Sequence, residues 1–119
     1  MHELSYVNEL YKRVKLHAVE HKAKQVYTIH LSVSILSGLD VDSINFYWKN
    51  MNKSMVLLHS TVIVQQEPAH LICQTCNTQF IVNEYTDSMI RCIHCDSFKT
   101  IVSEEIVMRI KNIEMECEE

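Results

Sequence analysis

Glycine and proline are nearly missing from this chain, with one of each in 119 residues. So small a supply excludes low-complexity tracts and flexible linkers. The solitary Gly38 cannot build the glycine-rich loop that cradles a nucleotide phosphate. Uninterrupted apolar runs are a few residues long, far short of the roughly 20 that a membrane-spanning helix needs. Met1 is followed at once by His2 and Glu3, which is not the basic-then-apolar pattern of a secretion signal. Nor is there a basic stripe to track a phosphate backbone, because 15 Asp and Glu outnumber 11 Lys and Arg. The histidines and carboxylates form no motif for acid–base catalysis, so an enzyme is not expected. These absences point to a cytoplasmic protein of one domain, with at most a small appendage and with no membrane or nucleic-acid partner.

The chain does contain enough patterned apolar residues, 47% of the total, for a modest core. Leu4, Val7, Leu10, Val14 and Ala18 recur at spacings of three and four and predict an amphipathic helix from residue 3 to about 22. A strand is expected from Val26 to about Leu36, where Tyr27, Ile29, Leu31, Val33 and Ile35 alternate with Thr28, His30, Ser32 and Ser34. His30 falls on the polar side and reads as solvated. Ser37-Gly-Leu-Asp40 is a turn, and Asp40 or Asp42 can cap a second helix running to about Asn52, with Ile44, Tyr47, Trp48 and Met51 as its apolar face. A second strand is expected over Met55 to Gln66, ended by Pro68, and a short one over Phe98 to Val102. A third long strand is expected from Ile106 to Met115. Within it Met108 and Ile110 share one parity while Ile113 and Met115 take the other, which implies a bulge or bend. The expected fold is therefore α/β, with two helices packed on a three-stranded sheet. That domain would comprise residues 1–68 and 103–119, with residues 69–102 inserted as a zinc-ribbon-like subdomain.

The insertion is identified by its cysteines. Cys73-Gln-Thr-Cys76 and Cys92-Ile-His-Cys95 stand 15 residues apart, within the spacing of a four-cysteine zinc site. Two residues between cysteines let one tight turn aim both thiolates at one ion, and two such turns complete a tetrahedron. The residue after each pair needs a left-handed backbone. Asn77 and Asp96 occupy those positions, and they are the non-glycine types that best tolerate it. A zinc ion with four protein ligands has no open position for substrate, so its role is structural. His94, inside the second turn, reads as a surface histidine, although it could replace a cysteine in acid. Cys117 is the odd cysteine and reads as a free thiol.

The N-terminus offers a second metal chemistry. A free Met1 amine, the His2 amide nitrogen and imidazole, and the Glu3 amide nitrogen can enclose one ion in fused chelate rings. Such a planar all-nitrogen set suits Ni(II) or Cu(II). His17 and His21, spaced i, i+4, could also chelate, though a solvated pair is the simpler expectation.

Met1-His-Glu-Leu-Ser5, an amphipathic helix, an alternating strand, a Ser-x-x-Asp turn and a late four-cysteine loop together resemble the HypA/HybF nickel chaperones of [NiFe] hydrogenase maturation, over essentially the whole chain. The resemblance implies a nickel metallochaperone in which His2 is the key Ni(II) ligand. Met1 and Glu3 would contribute backbone nitrogens, with Asp40 as an accessory. It further implies two partners, the nickel-handling maturation GTPase and the hydrogenase large-subunit precursor. Ser34 departs from the glycine common there, which bears on the local turn and not on the ligands.

The alternative is a zinc-ribbon module or adaptor that contacts protein or nucleic acid. Against nucleic acid, residues 69–102 set Arg91 and Lys99 against Glu84, Asp87 and Asp96, and four thiolates on Zn²⁺ add a further −2.

Overall fold

The computed structural model describes residues 3–83, 91–103 and 107–118. The chain divides into two compact units, one of Met1–Ser32, Gly38–Gln65 and Arg109–Glu119, the other of Val33–Ser37 and Gln66–Met108. Among the described residues no helix is long and apolar enough to cross a membrane.

In the first unit, helix α1 spans Glu3–Glu20 and buries Val7, Leu10, Val14 and Ala18, the expected stripe. The first member of that stripe is different. Leu4 is 52% exposed and Glu3 is 7% exposed, because four residues back from Val7 lies Glu3. The helix ends at Lys22, which takes the left-handed conformation (φ +53) in place of a C-terminal glycine.

Strand β1 covers Ala23–Ser34. Ile29, Leu31 and Val33 are buried as expected, but Tyr27 is 44% exposed and Val26 fully buried, so the inward parity shifts between Val26 and Ile29. Gly38, at φ +73, makes the turn that precedes α2 (Val41–Asn50). Asp40 stands at the N-cap of α2 without making a side-chain cap. Its Oδ2 instead accepts the Ser43 hydroxyl at 2.8 Å. Helix α2 buries Ile44 and Trp48, and Tyr11 of α1 meets Trp48 with ring centroids 5.9 Å apart.

Met55–Leu57 forms a 3₁₀ turn, so strand β2 is shorter than expected, Thr61–Glu67. Ser60, at the junction, accepts the Trp48 indole N–H at 3.1 Å and donates to the Leu57 carbonyl at 2.6 Å, which satisfies two buried groups at once. Strand β6, Met108–Cys117, completes a sheet of order β2-β1-β6. Its half-buried positions pass from Met108 and Ile110 to Ile113 and Met115, with Lys111 and Asn112 both exposed. The parity break read from the sequence is therefore present. Ile106, where that strand was expected to start, lies outside the described residues. Two helices on a three-stranded sheet are thus as expected.

Among the described residues the second unit holds three strands, of which the first two were not anticipated: β3 (Ala69–Cys73), β4 (Gln79–Val82) and β5 (Thr100–Val102). They form an antiparallel sheet of order β4-β3-β5. In its register Leu71 lies opposite Phe80 on one side and Val102 on the other. Pro68, which has no N–H to donate, separates β2 from β3. Leu71, Cys73, Phe80, Val82 and Cys92 make the core of this unit, with Ile35, Leu36, Cys76 and Val102 against it. Two of the five core members are cysteines, so the core and the metal centre are continuous.

Candidate metal centres

The two Cys-x-x-Cys segments fold into the same turn twice. In the first, the Cys73 N–H donates to the Thr78 carbonyl (2.9 Å) and the Asn77 N–H to the Cys73 carbonyl (2.8 Å). In the second, the Cys92 N–H donates to the Ser97 carbonyl and the Asp96 N–H to the Cys92 carbonyl, both at 2.9 Å. Asn77 and Asp96 close these turns at φ +63 and +64, the left-handed backbone expected of them. The chain reversal also points amides at sulfur: Thr75 N–H lies 3.4 Å from Cys73 Sγ, and His94 N–H 3.3 Å from Cys92 Sγ.

The Sγ atoms of Cys73, Cys76, Cys92 and Cys95 all lie within 4.8 Å of one another. The cross-turn separations are 3.6 Å for Cys73–Cys95 and 3.5 Å for Cys76–Cys92. Those are far longer than the ~2.05 Å of a disulfide. They are close to the roughly 3.8 Å that separates sulfurs on a tetrahedral zinc with ~2.3 Å bonds. The cluster therefore fits a structural zinc ion. Cys73 and Cys92 are buried, Cys76 half-buried and Cys95 exposed, so the site is anchored at one member of each turn.

Without a metal the Cys73, Cys76 and Cys95 thiols ionise unequally. Hydrogen bonds onto sulfur, first from the Cys76 N–H and then from Thr75, pull the Cys73 thiol down to about 6. Thr78, through its hydroxyl and its backbone N–H, lowers Cys76 as well. At Cys95 the Ser97 N–H favours the thiolate, but desolvation and hydrogen bonding with Cys73, Cys76 and Cys92 push the thiol up to about 12. The first turn thus presets part of the charge that a divalent ion needs.

Met1 and His2, the expected nickel ligands at the chain start, lie outside the described residues. Glu3 and Asp40 are brought together within the first unit. The Asp40 N–H donates to Glu3 Oε2 at 3.3 Å, so the first residue of α1 is tied to the turn before α2. The Glu3 carboxylate is nearly covered, whereas Asp40 is exposed. No sequence pattern could have paired two residues 37 positions apart, beyond the family likeness that named both. His30, expected to be solvated, lies 2.7 Å from Glu114 Oε1. Next along, Tyr27 donates to Glu116 Oε2 at 3.2 Å, which raises the Tyr27 hydroxyl above its ordinary value. His94 and Cys117 are exposed.

An α/β unit built on two helices, in one chain with a paired-turn four-cysteine centre, defines a small metalloprotein. The chain belongs to the HypA family: the family model described as hydrogenase/urease nickel incorporation, metallochaperone, matches residues 1–115. The hydrogenase maturation factor HypA of Psychromonas ingrahamii is 26% identical over 116 residues, covering 98% of this chain and 99% of that one. The Chloroflexus aggregans protein of the same name is 26% identical over 95 residues, 80% of this chain and 82% of that one. The solution structure of the Ni metallochaperone HypA from Helicobacter pylori superposes with a TM-score of 0.75 at 24% identity, covering 99% of this chain and all of that one. At that identity the superposition establishes the fold. The membership expected from the sequence is borne out, and with it a family that handles nickel for hydrogenase maturation.

Proposed function

We propose that this chain carries Ni(II) at its N-terminus and hands it on for maturation of [NiFe] hydrogenase, as a carrier and not as an enzyme. The observation that carries the proposal is the family match over residues 1–115, which takes in Met1, His2 and Glu3. The Met1 amine, the His2 amide and imidazole, and the Glu3 amide supply four nitrogens, a set that suits planar Ni(II). His2 is the key ligand because it alone contributes a side-chain donor. The Glu3–Asp40 hydrogen bond supports a steady base for this set, since it ties the first helical residue down beside the accessory Asp40. A site built at a chain terminus stays open to an acceptor, which permits transfer by ligand exchange.

On this account Cys73, Cys76, Cys92 and Cys95 hold one zinc ion that shapes residues 69–102, and residues 1–68 with 103–119 form the nickel-handling domain. The partners are the maturation GTPase and the hydrogenase large-subunit precursor, met in the cytoplasm, with no membrane or nucleic acid involved.

Binding displaces protons from the amine, amides and imidazole. Nickel affinity should therefore fall as pH drops from roughly 8 to 6, the ordinary range of amine and imidazole. X-ray absorption of the nickel–zinc protein should show nitrogen around nickel and four sulfurs around zinc. A pH-independent affinity, or sulfur bound to the first, tightest nickel in protein loaded with no more than one nickel per chain, would sink this ligand set.

A further inference from the structure

Helix α1 ends in two histidines that neither metal centre uses. His17 lies in the last turn of the helix, and the His21 N–H donates to the His17 carbonyl at 3.0 Å, so helical geometry persists between them. That hydrogen bond sets the two side chains one above the other on one face. The rings are stacked, with centroids 6.5 Å apart and planes inclined by 16°. Both residues are exposed. Together they line a cavity of about 260 Å³ whose other wall comes from β6 and includes Met115 and Lys111.

Three features suit this place to a metal ion. Imidazoles at i, i+4 converge on one ion by side-chain rotation alone, because the backbone spacing is already correct and neither ring is buried. The carbonyl end of a helix carries about half a negative charge, which favours a cation. A thioether in the same cavity adds a soft donor next to two borderline ones. Lys111 carries the charge that would oppose a metal, and it donates to Gln65 Oε1 at 3.2 Å.

We propose that His17 and His21 form a second site for a borderline divalent ion such as Ni(II), with Met115 as an auxiliary sulfur donor. Two or three protein ligands leave the remaining positions to solvent, so the ion exchanges readily. At 1.5 Å per residue the site stands about 24 Å from Glu3 along the helix axis. It is therefore separate from the N-terminal site, and a single ion cannot occupy both.

The test removes the N-terminal site first. Zinc-loaded His2→Ala protein is titrated with nickel chloride by calorimetry, alone and combined with His17→Ala, His21→Ala, Met115→Leu or His59→Ala. The expected result is one residual nickel per chain, weakened roughly 100-fold when either member of the chelating pair is lost. Met115→Leu should weaken it only a few-fold, and His59→Ala should leave it unchanged. Nickel should also raise the melting temperature of the His2→Ala protein, and not that of the double variants lacking His17 or His21. No residual nickel in the His2→Ala protein, or residual binding indifferent to both His17 and His21, overturns the proposal. Failure of the N-terminal assignment reads differently, since the His2→Ala protein would then match native protein in its tighter nickel.

Discussion

Replacing Asn77 tests how the zinc turns are held, because its backbone stands at φ +63 while its side chain is exposed. The left-handed conformation costs a residue with a β-carbon about 1–2 kcal/mol, and asparagine less than most. Asn77→Ala should therefore cost about 1 kcal/mol, Asn77→Val more, and Asn77→Gly nothing. The Asn77 N–H bonds the Cys73 carbonyl and so closes the loop between Cys73 and Cys76. The cost should accordingly appear in zinc affinity as well as in folding. Since 1.4 kcal/mol is tenfold, the alanine variant should bind zinc about fivefold more weakly. Competition against a chelator of known zinc affinity measures this, with the order Gly at or above Asn, then Ala, then Val. Asp96→Ala should lose a similar amount, because its φ is +64 and its ion pair with Arg91, at 3.5 Å and exposed, is worth little. Equal zinc affinity in Asn77→Gly and Asn77→Val would refute the reasoning.

Ser60→Ala leaves the buried Trp48 indole N–H without its acceptor and the Leu57 carbonyl with only the Ser60 backbone N–H, and should lower unfolding free energy by about 1–3 kcal/mol. An unchanged urea midpoint would contradict that. Glu3→Ala strips the acceptor from the Asp40 N–H, whereas Glu3→Gln keeps one. Melting of the nickel-free protein should therefore separate the two by about 1 kcal/mol, alanine being the weaker. Zinc binding should release fewer than four protons near pH 7.5, because the Cys73 thiol, at about 6, is already ionised there. Below pH 6 that proton returns and must be displaced, so zinc affinity should fall more steeply with acid. A pH-indicator assay that counts four protons throughout would exclude the lowered Cys73 thiol.

The parts of this structure legible in the sequence are those set by local chemistry. Val7 through Ala18 made a stripe because helix spacing is regular, and Pro68 and Gly38 marked breaks that few other residues can make. Asn77 and Asp96 disclosed left-handed turns because the four-cysteine spacing required something special there. What escaped depended on distant neighbours. Glu3 replaced Leu4 in the buried stripe because the Asp40 N–H, far along the chain, needed an acceptor. Tyr27 turned outward to Glu116, and His30 found Glu114, only because β6 returns beside β1. Strands β3 and β4 went unseen since they are five and four residues long and flank the first cysteine turn, leaving too little alternation to register. Met55–Leu57 looked like strand from its apolar content, yet Ser60 and Trp48 fix a 3₁₀ turn there.

Nickel titration of three zinc-loaded forms bears most directly on the N-terminal assignment: native protein, the same chain with residues added before Met1, and His2→Ala. The account predicts that native protein takes up its first nickel far more tightly than either altered form, with one zinc per chain in all three. Extended and His2→Ala proteins that bind their first nickel as tightly as native would contradict it.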